Sequence, residues 1–115
     1  MTIEPKDINK VLHATDANFA ADIATGVTFV DFWAVWCGPC QVMIPRLDEL
    51  VAKIGDKAKI MKMNVDEEPL TAQGFRIMSI PTMIIFKDGK VVDQFVGIQE
   101  TSVLEQKILS YVDAK

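Results

Sequence analysis

The sequence predicts an α/β fold: one domain built on a mixed five-stranded sheet flanked by helices on both faces. Three observations carry this. Runs with strand character alternate with stretches of helical period, one run is apolar at nearly every position, and the last two strands are joined by a strong hairpin signal. The 115 residues suffice for one domain with a sizeable core, and half of them are hydrophobic. No low-complexity segment, internal repeat or Pro/Gly/Ser linker divides the chain, so residues 1–115 are read as a single domain with residues 1–10 as an N-terminal extension.

"NKVLHA" reads as a first short strand. "TDANFAADIATG" reads as a helix, with Thr15 or Asp16 placed to cap its start and Gly26 to end it. "VTFVDFWA" is a near-continuous run of β-branched and aromatic residues, the pattern of a strand covered on both faces. "CQVMIPRLDELVAKIG" places Val42, Leu47, Leu50, Val51 and Ile54 at helical spacing and closes at Gly55. Pro45 inside it removes a backbone donor and is expected to bend the helix. "KAKIMKMNVD" is a third strand and "EEPLTAQGF" a short helical or irregular connection. "PTMIIF" and "VVDQFVG" flank "KDGK", where Asp88-Gly89 marks a hairpin. From about Gln99 to Val112 the chain closes as an amphipathic helix with Val103, Leu104, Ile108 and Val112 as its stripe. Early strands separated by helices should pair parallel, and the hairpin should add an antiparallel edge.

Bulk properties exclude several roles. A net charge of −4 with no Lys/Arg cluster argues against nucleic acid or an anionic membrane surface as main partner. The apolar runs are far too short to cross a bilayer. "MTIEPKDINK" lacks the basic head, apolar core and cleavage site of a secretory signal, so a cytoplasmic location is expected, or an organellar matrix where a transit peptide has been removed.

Both cysteines lie in "AVWCGPCQ". A tetrahedral zinc site needs four ligands, and beside the two thiols the chain offers a single histidine, His13, read as a strand residue on another element, so no metal is expected. A disulfide closing so short a loop constrains the unfolded chain little, which weakens a purely structural role. Two inert buried thiols remain as the plain alternative. Against it, the pair sits at a strand-to-helix junction and Pro39 suits the first helical turn. That puts Cys37 at a helix N-terminus, where unpaired amides and the helix dipole favour thiolate. Residues three apart there face the same way with Cα atoms roughly 5–6 Å apart, within disulfide range. Cys37 can then attack another protein's disulfide, and Cys40 can displace the product.

"FVDFWAVWCGPC", "SIPT", "FKDGK" and "FVG", in this order and spacing, resemble the thioredoxin family from about Val11 to Val112. The resemblance implies the thioredoxin fold and a protein-disulfide reductase with no bound cofactor, its electrons held in the Cys37–Cys40 pair. It also implies an upstream thioredoxin reductase drawing on NADPH through a flavin, and disulfide-containing client proteins. A monomer is expected.

Asp31 stands mid-strand; from the residues alone it is either a buried acid of raised pKa or a carboxylate at a solvated gap. The resemblance decides for the buried acid, which exchanges a proton with Cys40. Lys62 would ordinarily be a solvent-facing strand lysine; the resemblance brings it to Asp31 as a modulator. Pro81 could simply begin a strand; in thioredoxins this peptide is cis, packs on the disulfide and offers the preceding backbone, here Ile80, to the client. Trp36, Gly38, Pro39, Ile80, Gly97 and Ile98 are expected to form the apolar client-binding surface. Trp33, Phe32, Phe86 and most methionines are assigned to packing.

Three positions depart from what many thioredoxins carry. Val35 stands where a charged or polar residue is common, Gln41 where Lys or Arg is frequent and Met78 where Arg is frequent. Each removes charge, which makes the rim of the site more apolar and points to clients with hydrophobic segments. The sequence leaves two other readings open: an oxidase or isomerase of the same fold, and a binding module whose redox pair is incidental.

Overall fold

In the computed structural model, which describes residues 10–113, Val27–Trp33 (β2) is the middle strand of a five-stranded sheet. Its first six residues are buried on both sides, as their apolar run requires. Lys59–Asn64 (β3) pairs parallel to it, and Leu12–His13 (β1) pairs parallel to β3 at one edge. On the other side Thr82–Lys87 (β4) pairs antiparallel to β2, and Lys90–Val96 (β5) closes the opposite edge antiparallel to β4. The order is β1-β3-β2-β4-β5, with the expected parallel half and antiparallel hairpin. Residues 1–9 of the expected N-terminal extension lie outside the described residues.

Among the described residues four α-helices cover the two faces: Phe19–Ile23 (α1), Gly38–Ile54 (α2), Pro69–Gly74 (α3) and Thr101–Val112 (α4). Because side chains alternate along a strand, the sheet sorts its residues between two cores. Val27, Phe29, Ile60, Met83 and Ile85 face α2 and α4. Val30, Phe32, Met61, Met63, Ile84 and Phe86 face α1 and α3, where Phe19, Phe75 and Phe86 pack edge to face. Phe32, Phe86 and Met43, Met61, Met63 and Met83 are core, as expected.

Four local expectations change. The first helix is only five residues long, starts after Asn18 and stops at Ile23, well before Gly26. Neither Thr15 nor Asp16 caps it; the Asp16 carboxylate instead accepts the N–H groups of Leu70 (3.1 Å) and Thr71 (2.8 Å) and the Thr71 hydroxyl (2.6 Å), capping α3 across 55 residues of chain. Glu68 Oε1 accepts the Asp16 N–H at 2.7 Å, so the two segments lock reciprocally. Gly26, with φ of +71°, turns the chain into β2, where it exchanges hydrogen bonds with Asp88 of the hairpin. Val42 and Val103 are each 41% exposed rather than core: the α2 stripe runs through Met43 in place of Val42, and the buried face of α4 is Thr101, Leu104 and Ile108.

Gly55 does close α2, at φ of +61°. Pro45 is held within the helix on its exposed side. Asp88 and Gly89 both take positive φ, 51° and 86°, as a two-residue type I′ turn requires.

Candidate active site

The end of β2 delivers the reactive stretch. Trp33 ends the strand, Ala34 is fully buried, and the chain turns through Val35 and Trp36 into α2. Cys37 is the N-cap of that helix and Pro39 lies in its first turn. The Cys37 Sγ accepts the Cys40 N–H at 3.2 Å, so a sulfur occupies the position in which a capping oxygen satisfies a free helical amide. The two cysteines form a disulfide with Cα atoms 5.2 Å apart. Their exposures differ: Cys37 keeps 5% of its surface and Cys40 none.

Opposite the sulfurs stands the Ile80–Pro81 peptide, which is cis, as the family resemblance implied. The Ile80 carbonyl oxygen lies 3.6 Å from Cys37 Sγ, and Ile80 packs with Trp33 and Val65 against the cysteine pair. The Pro81 carbonyl accepts the Gly97 N–H at 2.8 Å. Gly97 has φ of +88°, a conformation glycine adopts freely, and it brings Ile98 to the same end of the sheet. The following loop is tied to α2, since Arg46 donates to the Gln99 carbonyl at 2.8 Å and lies 3.6 Å from the Glu100 carboxylate. The Gln99 N–H points to Met43 Sδ at 3.5 Å.

Trp36 is 71% exposed, and its indole N–H donates to Asp66 at 2.8 Å. It forms one wall of a concavity of about 370 Å³, with Val65, Ala72, Ile77, Met78, Ser79 and Ile80 as the others. Gly38 and Pro39 are exposed beside it, and Gln41 is occupied by a hydrogen bond to the Val35 carbonyl. The candidate surface residues therefore fall into two groups about the cysteines: Trp36 and Ile80 line the concavity, while Gly97 and Ile98 lie on the other strand-end loop. Val65, Asp66, Ala72 and Ile77 were not anticipated. A usable signal existed for the first two: they follow immediately on the C-terminal end of a parallel strand neighbouring the one that carries the cysteines, where open α/β sheets place their sites.

Asp31 is buried, with 2% of its surface exposed, and its Oδ1 has no hydrogen-bond partner. The solvated-gap alternative is thus excluded. It lies two residues beyond Phe29 and so faces the side of the sheet covered by α2, the helix that carries Cys40. Burial pushes its pKa up to about 8, and the positive charge of Lys62 opposes that rise. Lys62 is Asp31's register partner on β3 and is only partly exposed, its ammonium 5.0 Å over the Trp33 ring. His13 is an exposed strand residue, and no cluster of three or more His, Cys, Asp or Glu side chains suited to a metal occurs among the described residues. No helix among them is long and apolar enough to cross a membrane.

A disulfide capping a helix beside a cis-proline loop and a buried acid is a dithiol–disulfide exchange site, and the comparisons agree. The thioredoxin family model matches residues 10–110. A thioredoxin from Staphylococcus saprophyticus is 50% identical over 98 residues, covering 85% of this chain and 94% of that protein. One from Staphylococcus haemolyticus is 53% identical over 89 residues, covering 77% and 86%. The structure of a mutant thioredoxin from Halobacterium salinarum superposes with a TM-score of 0.85 at 30% identity, over 100% of this chain and 99% of the other. A family match over residues 10–110, half identity along most of the chain and a shared fold lead to one conclusion: the chain belongs to the thioredoxin family of thiol–disulfide oxidoreductases.

Proposed function

We propose that the protein is a general protein-disulfide reductase in which Cys37 attacks, Cys40 resolves and Asp31 handles the proton. The observation that carries this is the asymmetry of the pair: Cys37 caps the helix with some surface exposed, and Cys40 is fully buried behind it. Once the pair is reduced, the amide that donates to Cys37 Sγ and the positive end of α2 favour a thiolate there. That thiolate attacks one sulfur of a client disulfide, forming a Cys37–client bond and expelling the other client sulfur as a thiolate. Cys40, deprotonated, then attacks Cys37 Sγ; the internal disulfide re-forms and the second client thiol leaves. The client gains two electrons and the pair loses two.

Cys40 must lose a proton inside a dry site, and Asp31 with a pKa of about 8 populates both its forms near neutral pH. Lys62 tunes that acid through its charge. Ile80 and Pro81 present an extended backbone to the client, and Trp36, Gly38, Pro39, Gly97 and Ile98 supply apolar or bare surface around the sulfur. Val35 and Met78, both strongly exposed, make this rim more apolar and favour clients with hydrophobic segments. Thioredoxin-family proteins work between a reductase and disulfide clients. Here the reductase is a flavoenzyme supplied by NADPH, and the protein acts as a cytoplasmic monomer.

The test is the reduction potential of the Cys37–Cys40 pair, by equilibration in dithiothreitol and glutathione buffers. A value near −270 mV, the one thioredoxins as a class show, makes it a reductant; above about −180 mV the pair would take electrons from clients, as an oxidase or isomerase does. A Cys37→Ser, Cys40→Ser double variant that still complements a deletion strain would instead reveal a binding module.

A further inference from the structure

Met78 stands apart from every other described methionine. Met43, Met61, Met63 and Met83 expose no more than 1% of their surface, whereas Met78 exposes 92%. It also lines the apolar concavity between Trp36 and Ile80, and Ile80 touches Cys37. In the disulfide form both cysteine sulfurs are bonded to each other, so among the described residues Met78 carries the one thioether or thiol open to an oxidant.

We propose that Met78 is an oxidation site through which hydroperoxides weaken the capture of apolar clients. The inference rests on the reading of the Trp36–Ile80 concavity as client-binding surface. The thioether sulfur attacks one oxygen of the peroxide and the O–O bond breaks. Sulfur gives up an electron pair and keeps that oxygen as a sulfoxide. The proton that oxygen carried passes to the departing one, which leaves as water, or as an alcohol from an organic hydroperoxide. The product carries a strong S=O dipole where the wall was apolar. A client side chain that covers it must strip its water without supplying a donor, which is unfavourable. The chemistry at Cys37 is untouched, so the effect falls on binding and not on exchange. A methionine-sulfoxide reductase restores the thioether, which makes the site reversible.

The experiment uses the full chain in its disulfide form, treated with hydrogen peroxide and mapped by peptide mass spectrometry. The treated and untreated proteins are then assayed with dithiothreitol as electron source on two disulfide-linked peptides, one flanked by Leu and Phe, the other by Asp and Gln. Met78 should gain one oxygen well before the four buried methionines. KM for the apolar peptide should rise roughly fivefold with kcat within about twofold, and KM for the polar peptide should move less. In Met78→Leu the treated-to-untreated KM ratio should stay near one, which assigns the effect to this sulfur. The proposal is overturned if the buried methionines oxidise as fast, if Met78 is converted with no change in KM, or if Met78→Leu loses as much on treatment. Untreated protein that reduces neither peptide overturns the reductase reading, and the proposal with it.

Discussion

Replacing Asp31 by asparagine removes a titration that burial has displaced far from its ordinary range. The carboxyl has 2% of its surface exposed, and its pKa is raised from 3.8 to about 8. Between those two values the unfolded chain holds Asp31 ionised while the native protein holds it protonated. The native state then binds one more proton than the unfolded state, so stability falls as pH rises, by about 1.4 kcal/mol per pH unit. The contribution is complete below pH 3.8, is lost progressively, and levels off above the folded value near 8. At about pH 7 the displacement is roughly three units, so about 4 kcal/mol of stability is forgone to keep this acid in the core. An asparagine amide does not titrate. Urea unfolding of both disulfide-form proteins across about pH 5 to 8 should therefore show the variant gaining on the parent by roughly 3 kcal/mol between pH 5 and pH 7. Taking the difference cancels every other titrating group and any fixed packing cost of the amide. Parallel stability curves for the two proteins would mean that Asp31 ionises alike in both states, and the account of a proton held by burial would fail.

Asp16→Ala deletes three hydrogen bonds that cap α3 from a distant segment, and should lower the urea midpoint and speed hydrogen exchange at Leu70 and Thr71. Burial tends to raise the Asp16 pKa, but its bonds from Thr71 and Leu70 outweigh that and hold it low. The cap therefore acts above the ordinary carboxylate range and is lost as pH falls through the lowered value, a dependence the Ala variant should lack. Phe86→Ala, which empties a fully buried position between Phe19 and Phe75, should cost about 3–5 kcal/mol by denaturant titration. Arg46→Ala frees the Gln99 carbonyl and the Glu100 carboxylate, so the Gly97–Ile98 rim loosens. KM for protein disulfides should rise about two- to fivefold at little changed kcat, and unchanged kinetics would separate that rim from client binding.

The elements that read clearly were those whose local pattern and tertiary setting agree. The apolar run 27–34 could only be an interior strand, Asp88-Gly89 could only be a tight turn, and Gly55 ends the helix it was expected to end. The Cys-Gly-Pro-Cys stretch announced both its chemistry and its place at a helix start, because proline in a first turn and a sulfur at the cap are local facts. Local pattern misleads where a polar residue has two possible partners. Asp16 looks like the cap of the helix that follows it, yet its partners are Leu70 and Thr71, which no local pattern reveals. Val42 and Val103 match a helical stripe in sequence, but which side of a helix is buried depends on the sheet beneath it. Met43 takes the place of Val42, and on α4 the expected Leu104 and Ile108 are buried with Thr101 rather than with Val103.

The order of elements, the identity of the reactive pair and the family likeness were all legible in the chain before it folds, since each follows from residues close together in it. The state of Asp31, the company of Trp36 and the exposure of Met78 were set only on folding. Each depends on segments distant in sequence: the β3 and β4 neighbours that seal Asp31 from water, Asp66 beyond β3, and Trp36 and Val65, which complete the concavity that Met78 lines. Burial is a property of the folded surroundings, and here it raises an acid's pKa to about 8 and leaves one methionine open to solvent.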